Sequence, residues 1–271
     1  MDSFSNSALP KGRVQLATVL SAAGDIVHVD DVERILRLPR AEASKRLSRW
    51  MAQGWLHRVG PGAYAPVAID TLGADQVLSD PWVLVPALFS PGYVGGRTAA
   101  EHWDLTEQIF KDIVVVTAKT LRQTHQVRHG ASFTLQHAPP EKIFGTKTVW
   151  RHRSRVLVSD VHRTIVDMLD EPSLGGGIQH VADCLTAYLA RADRNDTLLI
   201  QYADRLGNGA VFKRLGFLAE RTGNASQIAQ ACFSRLTAGI AKLDAALTGQ
   251  QQLVARWRLR IPVSWRALPQ T

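Results

Sequence analysis

Within residues 40–53 the chain sets Ala41, Glu42, Lys45, Ser48 and Arg49 at spacings that share one face of a helix, with Arg46 on its flank. Small and polar groups on such a face can enter a major groove and meet base edges, and the cations can meet phosphates. The opposite face carries Ala43, Leu47, Trp50 and Met51 and is expected to be buried. Shortly after it, His57 and Arg58 lie in a stretch, 55–64, that reads as two strands joined through Gly60, Pro61 and Gly62. The chemistry on offer is non-covalent capture of duplex DNA, with Glu42, Lys45, Arg46, Ser48, Arg49 and Arg58 as the candidate contacts.

The elements that would position these residues follow in a recognisable order. An apolar helix at 14–22 precedes a short amphipathic stretch at 30–36. Only Arg37, Leu38 and Pro39 separate that stretch from the polar helix, the tight spacing of a helix-turn-helix, and the Gly-Pro-Gly hairpin has the shape of a wing. Pro39 helps fix the start of the polar helix, and Gly54 suits a left-handed cap at its end. Exposed Lys and Arg alone describe any solvated helix; the succession of parts is what points to a winged helix-turn-helix.

A chain of 271 residues is long for one core and comfortable for two or three. The expected class is α+β: a winged helix-turn-helix over 1–68, a proline-bearing connector over 69–92 with a short helix near 80–88, and a larger mixed α/β domain over 93–271 with a helical C-terminal part. A hydrophobic fraction of 45% is globular, and a formal net charge of +8 with a pI near 9.9 draws the chain to polyanions. No apolar run approaches the roughly 20 residues of a spanning helix, and residues 1–11 lack the apolar core of a signal peptide. A cytoplasmic protein without a membrane partner is expected. Cys184 and Cys232 both sit in apolar helical patterns and read as reduced core residues.

Between 111 and 163 the cations Lys119, Arg122, Arg128, Lys142, Lys147, Arg151, Arg153 and Arg155 face few acids, chiefly Asp112, Glu141 and Asp160. Arg122, Arg128, Lys147, Arg151 and Arg153 are candidates for a second nucleic-acid surface, although solubility accounts for such a patch equally well. Strands are expected at 113–117, 132–137, 146–151 and 155–158, and helices at 98–103, 160–169, 178–190, 197–206, 209–221 and 226–246. At the far end Arg256, Arg258 and Arg260 alternate with Trp257, Leu259 and Ile261, a strand pattern with the arginines on one face.

Enzymatic patterns are weaker. A restriction-like nuclease needs a carboxylate two residues before a lysine to hold a metal, and no lysine here has Asp or Glu two places earlier. A nucleotidyltransferase would need a Gly-Ser turn and two Asp flanking one residue, and neither pair occurs. Gly145-Thr146-Lys147-Thr148 lacks the glycine spacing of a phosphate loop, and His102 has no histidine four places away. Asp160, Arg163 and Asp167 read as a helix cap and an intrahelical ion pair. No catalytic residue, metal ligand or cofactor is assigned.

Several segments resemble one family. The string from Tyr93-Val94-Gly95-Gly96-Arg97-Thr98 through Glu101-His102-Trp103-Asp104-Leu105-Thr106-Glu107-Gln108, ending in Val114-Val115-Val116-Thr117, resembles the central signature of AbiEi antitoxins. Asp160-Val161-His162-Arg163-Thr164-Ile165-Val166-Asp167 is similar to the family's Asp-x-x-Arg-Thr-x-x-Asp helix, here leading to Gly175, Gly176 and Gly177. Arg214-Leu215-Gly216-Phe217-Leu218-Ala219-Glu220 is similar to its Arg-Leu-Gly-aromatic-Leu-x-Glu segment. The resemblance implies a type IV toxin-antitoxin component. The winged helix would bind inverted repeats at its own promoter as two copies of a chain that is monomeric in solution, and would repress the operon. The larger domain would counter a cognate nucleotidyltransferase toxin without a stable complex. A nuclease guided by the same winged helix and an orphan transcriptional regulator are the alternatives.

Overall fold

The computed structural model describes residues 10–67 and 80–265. The fold is mixed α+β, and its contacts divide the chain into two units. The first is Met1–Ser90 with Val127–Ala131 and Val149–Val156; the second is Pro91–Gln126, Ser132–Thr148 and Leu157–Thr271. Residue 68 of the expected head and residues 69–79 of the expected connector lie outside the described residues.

In the first unit α1 (Lys11–Ala22) is followed by β1 (Val27–His28), α2 (Val29–Leu36), α3 (Arg40–Ala52), β2 (Leu56–Gly60) and β3 (Ala63–Pro66). The α2 helix begins where the Asp31 carboxylate accepts the His28 N–H at 3.0 Å, and it stops at Arg37, whose φ of 53° is left-handed. The α3 helix starts after Pro39, whose carbonyl accepts the Ala43 N–H at 2.9 Å. It ends at Gly54, φ 71°, in a Schellman arrangement: Gly54 N–H donates to Met51 O and Trp55 N–H to Trp50 O.

The three strands form an antiparallel sheet of order β1-β3-β2, with Arg58 opposite Tyr64 and a bulge between Arg58 and Gly60. Leu16, Val19, Val27, Val32, Ala43, Leu47, Trp50 and Leu56 make its core. Met51, expected on the buried face, is 41% exposed. It lies about 100° round the helix from Trp50 and so falls off the stripe that runs through 43, 47 and 50. A short 3-10 turn, Pro81–Val83, leads to α4 (Leu84–Phe89), which packs on β2; a side-chain carbon at Gly60 would sit 2.6 Å from Leu88.

The second unit is built on β4 (Gly92–Val94), α5 (Gly96–His102), β5 (Asp112–Thr117), β6 (His125–Arg128), β7 (Ala131–His137), β8 (Thr146–Arg151) and β9 (Ser154–Ser159). Then come α6 (Val161–Asp170), α7 (Ile178–Leu189), α8 (Asp196–Leu206), α9 (Gly209–Arg221) and α10 (Ser226–Phe233). The strands form a six-stranded mixed sheet, β6-β7-β5-β4-β9-β8, in which β5 and β7 are parallel and β4 and β5 antiparallel. The ends of its two hairpins are the segments that group with the first unit. Every residue of α6 from Val161 to Leu169 is buried, the mark of a helix surrounded by others rather than lying on a surface. Cys184 on α7 and Cys232 on α10 are buried free thiols, and burial pushes both up to about 12.

Two expected elements differ. The helix predicted over 226–246 ends at Phe233, because the following chain is taken up by α9: Lys213 donates to the Gly239 carbonyl and Arg214 Nε to that of Lys242 at 3.1 Å. From there β10 (Ala241–Lys242) joins β12 (Leu259–Pro262) and β11 (Gln251–Val254) in a small sheet. The strand predicted through 256–261 covers only Leu259 onward. Residues Ala255–Trp257 form a 3-10 turn, and Arg258 reverses the chain at φ 49°. The predicted alternation of exposure nonetheless holds, with Trp257, Leu259 and Ile261 buried and the three arginines exposed.

Candidate nucleic-acid interface

The α3 helix divides sharply by face. Ala43, Leu47 and Trp50 have no exposed surface, whereas Glu42, Lys45, Ser48 and Arg49 are exposed. Lys45 Nζ donates to Glu42 Oε1 at 3.1 Å, a solvent-exposed i,i+3 pair that contributes little and gives way to a competing phosphate. Among the described residues, Arg49 and Ser48 have no side-chain hydrogen bond or ion pair. Arg46 stands apart from these four: it is half-buried and its guanidinium donates to Gln15 of α1, so it ties two helices together.

Two cations that the sequence reading passed over also help to set this face. Arg40, at the first turn of α3, is held by Asp30 and, at 2.9 Å, by Glu33, both on α2. The Arg40 guanidinium keeps the Asp30 carboxyl below its usual range. This pairing links the first turn of α3 to α2. Arg37 stands exposed in the turn itself. Neither role has a periodic signal, because one depends on an inter-helix contact and the other on a left-handed backbone.

On the hairpin, Arg58 is exposed and its Nε donates to the Gly60 carbonyl at 3.2 Å across the bulge. Beside it lies the turn of the β6–β7 hairpin. His129 Nε2 donates to the Val59 carbonyl at 3.2 Å, and the His129 and His57 rings meet at 5.4 Å.

The five cations grouped as a second basic surface fall in both units. Arg128, Arg151 and Arg153 belong to the first unit, Arg122 and Lys147 to the second. Arg153 Nη1 donates to the Leu20 carbonyl at 2.7 Å and Nη2 to that of Ser21, which caps the C-terminus of α1. Its backbone N–H and the Ser154 hydroxyl both donate to Asp25 Oδ2, at 3.1 and 2.9 Å. Arg151 lies 4.2 Å over the Trp82 ring, with its Nε 3.8 Å from Asp80. Lys147 is 5.4 Å from the Trp103 ring centre. Arg122 is exposed. Spacing in sequence reports that cations are dense, not which carbonyl or ring each one serves.

In the second unit Asp160, Arg163 and Asp167 form the cap and ion pair read from the sequence. Asp160 Oδ1 accepts the Arg163 N–H at 2.9 Å, and Arg163 Nε meets Asp167 Oδ1 at 2.7 Å. Tyr93 adds to the pair by donating its hydroxyl to Asp167 Oδ2 at 3.0 Å while accepting from Arg163 Nη2 at 3.1 Å. Burial pushes the Asp167 carboxyl up to about 6, although Arg163 and Tyr93 both pull it down. For Arg163 burial works against the charge, and Asp167 and Tyr93 together more than offset it. The Arg163 guanidinium also lies 4.0 Å over Phe144, and Tyr202 donates to Asp160 at 2.9 Å. Arg163 Nη1 is buried without a hydrogen-bond partner among the described residues, and the other bonds of the network lock α6 to β4 and α8.

No family model matches this chain, and no curated protein does. Among solved structures the fold is similar to that in the crystal structure of the Rv2827c protein from Mycobacterium tuberculosis. The TM-score is 0.61 at 15% identity, over 93% of this chain and 92% of that one. At this identity the likeness speaks for the fold alone.

Proposed function

We propose that the first unit is a winged helix-turn-helix that reads duplex DNA, and that the chain is a transcriptional repressor and antitoxin of the AbiEi kind. In this reading α3 is the recognition helix and the β2–β3 hairpin the wing. The observation that carries it is the division of α3: one face sealed into the core, the other presenting Glu42, Lys45, Ser48 and Arg49 to solvent, with Arg58 of the adjoining hairpin also exposed. A helix so anchored can press a fixed set of side chains into a major groove without losing order on contact. The overall charge of +8 supports capture of a polyanion. The antitoxin part rests on the sequence resemblance through the motifs at 93–117, 160–167 and 214–220.

Two copies on an inverted repeat are expected, since one such head reads a short half-site. The test is retardation of the DNA upstream of the chain's own gene, with salt varied between about 50 and 200 mM. Affinity should fall steeply as phosphate contacts are screened. Co-expression with a neighbouring nucleotidyltransferase gene should relieve that toxin's growth arrest. No retardation of either promoter or unrelated duplex would overturn the DNA reading, and Mg²⁺-dependent cleavage of the duplex would turn it into a nuclease.

A further inference from the structure

We infer that the β6–β7 turn, residues 127–131, is a second arm of the wing and lays Arg128 on the same stretch of DNA backbone as Arg58. The inference rests on the DNA reading above and extends it to a segment about 70 residues downstream of the hairpin. Four observations meet here.

First, the turn stands beside β2, an edge strand of its sheet, and is pinned there by the His129 hydrogen bond to Val59 and by the His57–His129 ring contact. The bulge between Arg58 and Gly60 is what turns this part of β2 out of regular register with β3. Second, the turn is tight: His129 at φ 49° and Gly130 at φ 77° are both left-handed, the geometry of a two-residue hairpin loop. Arg128 is therefore the last residue of β6, held by the ladder rather than on a floppy loop.

Third, the segment faces solvent, with Val127 70% exposed and Arg128 and Gly130 exposed as well. Residues 125–131 carry two histidines and an arginine but no acid. Fourth, the two arginines border one contact. Arg128 adjoins His129, and Arg58 adjoins both His57 and Val59, so both arginines flank the same contact. Two long cationic side chains that flank one contact suit phosphates on one strand, where each neutralised phosphate releases counterions.

The experiment uses the full chain and two duplexes, the DNA upstream of its own gene and an unrelated sequence of equal length. Arg128→Gln should lower the slope of log K against log salt by about one and weaken both duplexes alike, as Arg58→Gln should, while Arg260→Gln, an exposed cation on β12, should change neither. Position is read separately by tethering iron-EDTA to Val127→Cys and to Pro61→Cys; both should cut the promoter duplex within the same few nucleotides. Thermal melts of each variant matching the parent establish that the fold is kept. If Arg49→Ala weakens binding while Arg128→Gln keeps the parental slope, or the probe at 127 cuts nowhere near the probe at 61, this inference is overturned and the reading head stands. If the parent binds neither duplex, both fall.

Discussion

Gly216, in the middle of α9, should not tolerate even a methyl group. A side-chain carbon built there would lie 2.0, 2.4 and 2.8 Å from Cζ3, Cη2 and Cε3 of Trp257, where carbon atoms normally meet at about 3.5 Å or more. The indole would have to retreat by about 1.5 Å. It has no room to do so, because Trp257 is fully buried, its Nε1 donates to Glu220 Oε2 at 2.6 Å, and the Phe233 ring stands edge-on at 5.9 Å.

Overpacking of this kind costs about 1–3 kcal/mol, and a hydrogen bond to a charged group about 1.5–3 kcal/mol if the indole is driven off Glu220. Replacing a helical glycine with alanine returns about 1 kcal/mol. Gly216→Ala should therefore destabilise the chain by about 2–4 kcal/mol, read as a lower urea midpoint by near-ultraviolet circular dichroism. The three crowded atoms all belong to the six-membered ring of the indole, so in a Trp257→Phe background the same change should cost little, and the cycle should show strong coupling. A Gly216→Ala chain as stable as the parent, or an equal cost in both backgrounds, would refute the argument. The Arg-Leu-Gly-aromatic-Leu-x-Glu segment then has a physical meaning: Gly216 makes the seat for Trp257 and Glu220 holds its N–H.

Three other predictions concern the candidate nucleic-acid interface and the buried pair. Arg49→Ala should weaken binding to the chain's own promoter DNA by about 1–3 kcal/mol, measured by gel retardation, with its melting temperature unchanged, since its side chain is exposed. Leu47→Ala, two residues back and on the fully buried face, should cost about 2–5 kcal/mol of stability in thermal or urea unfolding and reduce any DNA binding only by unfolding this unit. For Asp167 the folded value, about 6, lies above the ordinary 3.8, so its contribution is complete below about pH 4 and is lost as pH rises through 6. The stability of the parent relative to Asp167→Asn should fall by on the order of 2 kcal/mol from pH 4 to pH 7 in urea titrations; a gap that stays level or widens would contradict this.

What the sequence disclosed depended on whether a residue's role was local. The stripe Ala43, Leu47 and Trp50, the left-handed Gly54 and the Asp160 cap all act within one turn of helix, and each was legible. The segment 255–261 shows the limit: its burial alternates as a strand's would, yet Trp257 is drawn onto Gly216 and the backbone turns to follow. Residues 234–246 keep a helical composition but yield to Lys213 and Arg214, which take their carbonyls. The candidate contacts divide in the same way. Lys45, Ser48 and Arg49 face outward as their spacing requires, whereas Arg46, Arg151 and Arg153 go to Gln15, Trp82 and the end of α1. Those partners lie between 31 and 133 residues away in sequence, beyond the reach of any periodicity.

The first unit is also discontinuous along the chain, and this orders events in time. The carbonyls of Leu20, Ser21 and Val59 and the carboxylate of Asp25 find their partners only at His129, Arg153 and Ser154. During synthesis from the N-terminus the Val59 carbonyl stays solvated until the ribosome has passed residue 129 and the other groups until it has passed residue 154, well after α1 to α4 have been made. A stub ending at Ser90 would hold α1 to α4 and β1 to β3 yet lack the residues that fasten them, so this unit is completed late in translation rather than as the first part of the chain to leave the tunnel.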